Sequence, residues 1–80
     1  MAKLAIIGTG LIGTSLAMAL KKANLRDVEI VGTDSDGSAR RGAERSNAFH
    51  KVENRLMSAV RDAEIVVLAT PVMAMRELME

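Results

Sequence analysis

Three glycines spaced G-x-G-x-x-G, in the segment Gly8-Thr9-Gly10-Leu11-Ile12-Gly13, constrain this chain more than anything else in it. They follow the nearly continuous apolar run Lys3 to Ile7, which reads as a parallel strand covered on both faces. After them, from Leu11 to Ala23, Ile12, Leu16, Ala19 and Leu20 share one helical face, with Lys21 and Lys22 in the last turn, where the helix dipole favours them. A strand, a glycine turn and a helix in that order open a βαβ unit. The first N–H groups of such a helix have no intrahelical partner and sit at its positive end, so the backbone alone makes an anion site. Gly8 then serves the tight turn, Gly10 lets a pyrophosphate approach the backbone, and Gly13 lets the helix pack on the sheet. Thr9, Leu11 and Ile12 are expected to lend backbone N–H groups to that anion.

The alternation continues. Val28 to Thr33 reads as a second strand, with Val28, Ile30 and Val31 β-branched, closed by the turn-forming run Asp34-Ser35-Asp36-Gly37-Ser38, in which Ser38 could cap the next helix. That helix, about Ala39 to Arg45, is mostly charged and buries little beyond Ala39 and Ala43. A short third strand is expected near Phe49 to Val52. Val52, Leu56, Ala59 and Val60 keep helical spacing up to Asp62, and Ile65 to Ala69 forms another apolar strand ended by Thr70-Pro71. Pro71 suits the first turn of a last helix carrying Val72, Met75 and Met79. The fold class is therefore α/β, a Rossmann-type parallel sheet with right-handed crossovers, helices on both faces and strand order 3-2-1-4. With 80 residues and no linker or repeat, the chain is expected to be a single dinucleotide-binding domain over residues 1–80, incomplete because the last helix reaches Glu80 without a cap. No room is left for a substrate or dimerisation domain.

Asp34 stands at the end of the second strand, in the window about twenty residues past the glycines where a carboxylate accepts hydrogen bonds from the adenosine ribose. That placement points to NAD, since a 2′-phosphate would be repelled. Arg40 and Arg41 lie near enough in sequence to offer NADP a cation, although a solvated helix face is the simpler reading of them. Asp34 also suits a turn or a cap. Thr70 and Pro71 sit at the carboxyl end of the strand flanking the first, beside the crevice where strand order reverses, and are expected to line the cofactor. They suit equally a helix N-cap and a first-turn proline.

Composition excludes more than it assigns. Hydrophobic residues are 49% and charged residues 26%, which fits a globule and neither a disordered tail nor a membrane bundle. A net charge of +1 with interspersed signs, and a single phenylalanine, give neither a basic stripe for phosphates nor a platform for stacked bases. Without cysteine there is no thiolate and no zinc finger, which suits a cytoplasmic setting. Lys3, the apolar run and Ala17-Met18-Ala19 imitate a signal peptide, but four turn-forming residues, Gly8, Thr9, Gly10 and Gly13, interrupt it. His50, the only histidine, has no partner at a telling spacing and reads as a surface residue. The six methionines read as packing. No nucleophile or metal site is indicated.

The segment AIIGTGLIGTSLAMAL, Ala5 to Leu20, resembles the opening of prephenate and arogenate dehydrogenases, and VVLATPV, Val66 to Val72, resembles that family's fourth strand and following loop. The two lie at a similar separation, so with Asp34 the resemblance spans essentially the whole chain. It implies oxidative decarboxylation of prephenate to 4-hydroxyphenylpyruvate, or of arogenate to tyrosine, with hydride passing to a nicotinamide cofactor. It also implies that the family's catalytic histidine and substrate-binding arginine lie further along than Glu80, and His50 matches neither. Cofactor affinity without catalysis is the expectation. Two alternatives stand: another dehydrogenase of the β-hydroxyacid or pyrroline-carboxylate-reductase type, and a stand-alone nucleotide-sensing module. The apolar strand over residues 64–69 would have an unpaired edge, so a homo-oligomer through that edge is expected.

Overall fold

The computed structural model describes residues 2–69. It contains β1 (Ala2–Ile7), α1 (Leu11–Lys22), β2 (Val28–Thr33), α2 (Gly37–Ser46), β3 (Lys51–Glu53), α3 (Leu56–Val60) and β4 (Ile65–Leu68). All pairings are parallel and the sheet order is β3-β2-β1-β4, as the alternation of elements requires. Thr70, Pro71 and the expected last helix lie outside the described residues. Among the described residues no helix is long and apolar enough to cross a membrane.

The register places Ile6 opposite Gly32 and Val67, and Leu4 opposite Ile30 and Ile65. Side chains alternate across a strand, so Ile6 and Ile30 share one face, where they join Ala17 of α1, Ala43 of α2, Ala48 and Phe49 in the buried core. Ile6, Ile30 and Val31 are the largest fully buried side chains, each contributing about 1.5–3 kcal/mol relative to exposure. The opposite face, with Ala5 and Val31, is approached by α3, whose Ala59 is fully buried. Lys3 fastens α3 there: its Nζ donates to the Ser58 and Arg61 carbonyl oxygens, each at 2.9 Å.

Several local expectations are corrected. In α1 the buried positions are Gly13 and Ala17, while Ile12 and Ala19 are exposed. Small residues one turn apart let the helix backbone come close to the sheet, and that rotates the larger side chains Leu16 and Leu20 to the margin. The cap of α2 is Asp36, not Ser38; its carboxylate accepts the Ser38 N–H at 2.9 Å. The third strand is displaced to Lys51–Glu53, and Val52 lies in it instead of opening a helix, because the ladder to β2 claims it through pairing with Gly32. Phe49 precedes the strand and plugs the core. A Cβ at Gly32 would lie 2.6 Å from its ring, so the missing side chain there is the room the ring occupies.

His50 is exposed, as expected of a surface residue, yet it is not idle. Its N–H donates to the Ile30 carbonyl at 2.8 Å and its Nδ1 accepts the Ile30 N–H, also at 2.8 Å. The imidazole thus supplies the ladder bond that a further residue of β3 would have made. Replacing it by alanine leaves the N–H of a buried residue without a partner, at a cost of about 1–3 kcal/mol. In urea melts His50→Ala should show that loss, and His50→Asn, whose side-chain oxygen can take the place of Nδ1, should recover most of it. Equal stabilities for the two variants would refute the role.

Candidate functional site

The carboxyl ends of β1 and β2 carry the residues singled out by the glycine spacing. Gly8 has φ 104°, a left-handed conformation that a side chain would strain, and its N–H donates to the Thr33 carbonyl at 2.8 Å. A Cβ at Gly13 would overlap the Gly8 carbonyl oxygen and lie 2.9 Å from its carbon, so α1 rests directly on the turn. Gly10 differs from both. A Cβ built there meets nothing within 4 Å, so what its missing side chain keeps free is open space in front of the helix.

That space faces an uncapped helix end. Gly10 is the N-cap residue of α1, no side chain bonds to the first turn, and no acid stands in it. Leu11 and Ile12 are 85% and 64% exposed, and the leading N–H groups of a helix point past its start with the dipole's positive end behind them. Aspartate-capped α2 provides the contrast within the same chain. A helix of twelve residues left uncapped beside open space is what an anion of the cofactor's pyrophosphate type would fill.

Thr9 does not lend its N–H as the sequence reading expected. It is 2% exposed, and its N–H donates to Asp34 Oδ2 at 2.8 Å. Asp34 Oδ1 accepts the Asp36 N–H at 2.9 Å, so one carboxylate holds the glycine turn and the loop after β2 together. Thr14 Oγ1 donates to the Thr9 carbonyl at 2.7 Å and closes the turn from the helix side. The Thr9 hydroxyl itself is buried and has no partner among the described residues. Each Asp34 oxygen keeps a free lone pair, so the group can still accept from a ligand hydroxyl.

Arg40 curls back, its Nη1 donating to the Asp34 carbonyl at 2.6 Å, and Arg41 Nη2 donates to Ser38 Oγ at 3.3 Å. Both guanidinium groups lie about Gly37, where a Cβ would be 3.4 Å from a nitrogen of each. Neither has a carboxylate partner among the described residues. A cavity of about 350 Å³ adjoins Asp34, lined by the ends of β1 and β2 and by Asn54 and Leu56. No spacing in the sequence marks Asn54 and Leu56, whereas Gly32, a glycine inside an apolar strand, carries a readable sign of close approach. His50 sits just before β3, level with Ile30 in the middle of β2 and so away from the carboxyl ends that carry the glycine turn. Among the described residues no group of acids and histidines could hold a metal ion.

Parallel sheet, glycine turn, open helix end and acid after β2 define a nucleotide-binding domain of the Rossmann type. Residues 3–80 match the family described as NADP oxidoreductase, coenzyme F420-dependent, and the chain belongs to that family. It is 38% identical over 80 residues to a prephenate dehydrogenase of Lactococcus lactis subsp. cremoris, a match covering 100% of this chain and 22% of that protein. It is 42% identical over 72 residues to a cyclohexadienyl dehydrogenase of Zymomonas mobilis subsp. mobilis, covering 90% of this chain and 24% of that one. The crystal structure of prephenate dehydrogenase from A. aeolicus, in complex with hydroxyphenyl propionate and NAD+, superposes with a TM-score of 0.75 at 25% identity. That match covers 98% of this chain and 27% of the other. The chain therefore spans about a quarter of the length of the proteins it matches, and it is similar to the nucleotide-binding part of a prephenate dehydrogenase, the resemblance its glycine segment suggested.

Proposed function

We propose that the chain binds NAD as the cofactor-holding part of a dehydrogenase that oxidatively decarboxylates prephenate or arogenate. The observation that carries this reading is the uncapped end of α1 opening on free space at Gly10, with Asp34 fixed beside it. Leu11 and Ile12 N–H groups would receive the pyrophosphate, and Asp34 would accept from the adenosine ribose hydroxyls. Thr70 and Pro71 belong to the same proposed site, at the end of β4. Bound NAD supplies a hydride acceptor; this chain supplies orientation and an anion seat. Residues 1–80 act in this reading as one dinucleotide-binding unit that turns over no substrate alone. The similarity to an NAD-bound prephenate dehydrogenase supports both cofactor and substrate class.

Isothermal titration should show NAD bound about tenfold or more tightly than NADP, the difference a carboxylate facing a 2′-phosphate would impose. Asp34→Ala should bring the two affinities together. Equal affinities before mutation would remove Asp34 from the role. NADP is the second reading because neither Arg40 nor Arg41 has a carboxylate partner among the described residues and Arg40 donates to the Asp34 carbonyl; an NADP preference abolished by Arg40→Ala would favour it.

We also infer self-association through β4. It is one of the two edge strands of the sheet among the described residues, and its Ile65, Val66 and Leu68 are 56%, 46% and 55% exposed. An apolar strand with free backbone groups recruits a second strand. Light scattering of the 80-residue chain should report a dimer or larger species, and Val66→Lys should shift it toward monomer. A monomer at high concentration would contradict the inference.

A further inference from the structure

Resting on the reading that a dinucleotide binds, we propose that Thr14 is a positioning residue: through the carbonyls of Thr9 and Gly10 it aims the Gly10 and Leu11 N–H groups at the anion before the anion arrives. Thr14 lies in α1 just after Gly13, half-buried, and holds the glycine turn twice. Its N–H donates to the Gly10 carbonyl at 2.9 Å and its Oγ1 to the Thr9 carbonyl at 2.7 Å. One residue thus grips two successive peptide groups, the one entering Gly10 and the one leaving it.

A peptide group is planar and trans, so the carbonyl oxygen of one residue and the N–H of the next point in opposite directions. The Thr9 oxygen is drawn along α1 to Thr14, and the Gly10 N–H is thereby turned away from the helix body. The Gly10 oxygen and the Leu11 N–H are paired in the same way. Gly10 is where such a grip matters. It is exposed, and no side chain caps the first turn of α1, so glycine's conformational freedom would otherwise let the peptide before it rotate. On its other side Thr9 is held by Asp34, whose Oδ2 accepts the Thr9 N–H at 2.8 Å. With the Thr14 hydroxyl on its carbonyl, Thr9 is pinned at both ends by side chains from two separate parts of the chain. The bond from the Thr14 N–H belongs to any helix; the hydroxyl bond is what threonine adds. Its effect is preorganisation, since donors already aimed at an anion lose little freedom on binding it.

Calorimetric titration of Thr14→Val, which keeps the shape and loses the donor, should show NAD and NADP affinity reduced by the same factor, about three- to tenfold, the worth of one hydrogen bond. The preference between the two cofactors, which the Asp34 carboxylate would set, should not change, because the pyrophosphate is common to both. Thr14→Ser keeps the donor and loses the methyl group, and should bind both as the native chain does. A packing role would reverse the order, with Thr14→Val close to native and Thr14→Ser impaired. Urea midpoints are measured alongside, because an effect confined to folding would move the midpoint and leave the affinity of the folded chain where it was. NAD bound equally tightly by the native and Thr14→Val chains, or a Thr14→Ser affinity well below native, would overturn the positioning role while leaving the cofactor reading intact. No binding of NAD by the native chain would overturn both.

Discussion

Gly13→Ala is expected to abolish the native fold or to cost it about 3 kcal/mol or more, the largest loss any single methyl group should cause here. The added Cβ would fall on the Gly8 carbonyl oxygen and within 2.9 Å of its carbon, and both atoms are backbone. A flexible side chain could swing away from such a contact. A carbonyl in a turn whose φ is already 104° at Gly8 cannot, and α1 would have to lift from the sheet. Lifting it uncovers Ala17 and the core around Ile6 and Ile30. A domain this small has little stability in reserve, so circular dichroism during urea titration should show an early or absent transition. A native-like midpoint would mean that the turn can relax, against the packing described.

Gly10→Val should do the reverse. Its backbone is extended, with φ −70° and ψ −157°, and nothing lies within 4 Å of a Cβ there, so the fold should keep its stability to within about 1 kcal/mol. What changes is the space in front of α1. A branched side chain there would stand between the helix N–H groups and an incoming pyrophosphate, and NAD affinity should fall by about 100-fold or more. Calorimetric titration beside a urea melt separates the outcomes. Undiminished NAD binding in a folded Gly10→Val chain would place the anion elsewhere. Two glycines three residues apart are thus expected to fail in opposite ways, one in folding and one in binding.

Much of this was legible in the chain itself. Apolar runs at Lys3 to Ile7, Val28 to Thr33 and Ile65 to Ala69 are long and uniform enough to reveal parallel strands, and the strand order followed from their alternation with helices. Boundaries were less legible where tertiary pairing overrides local pattern. Val52 keeps helical spacing with Leu56, yet three residues of ladder against β2 are worth more than that periodicity. His50 looked partnerless because its partner is a backbone N–H, which no side-chain pattern can reveal. The position of Asp34 was readable from its distance to the glycines, whereas its bond to Thr9 was not, and that bond removed Thr9 from the expected anion donors. Asn54 and Leu56 belong to the same kind of omission. They reach the cavity only because β3 ends beside β2, a fact of topology and not of spacing.

The hydrogen bond from Thr9 to Asp34 has a consequence for how a ligand is measured. In the proposed site it makes a calliper of two contact points: one jaw is the amide rim of α1, the other the carboxylate, and the gap between them is set by the fold before anything arrives. A molecule whose phosphate and sugar are spaced to that gap meets both jaws without moving either.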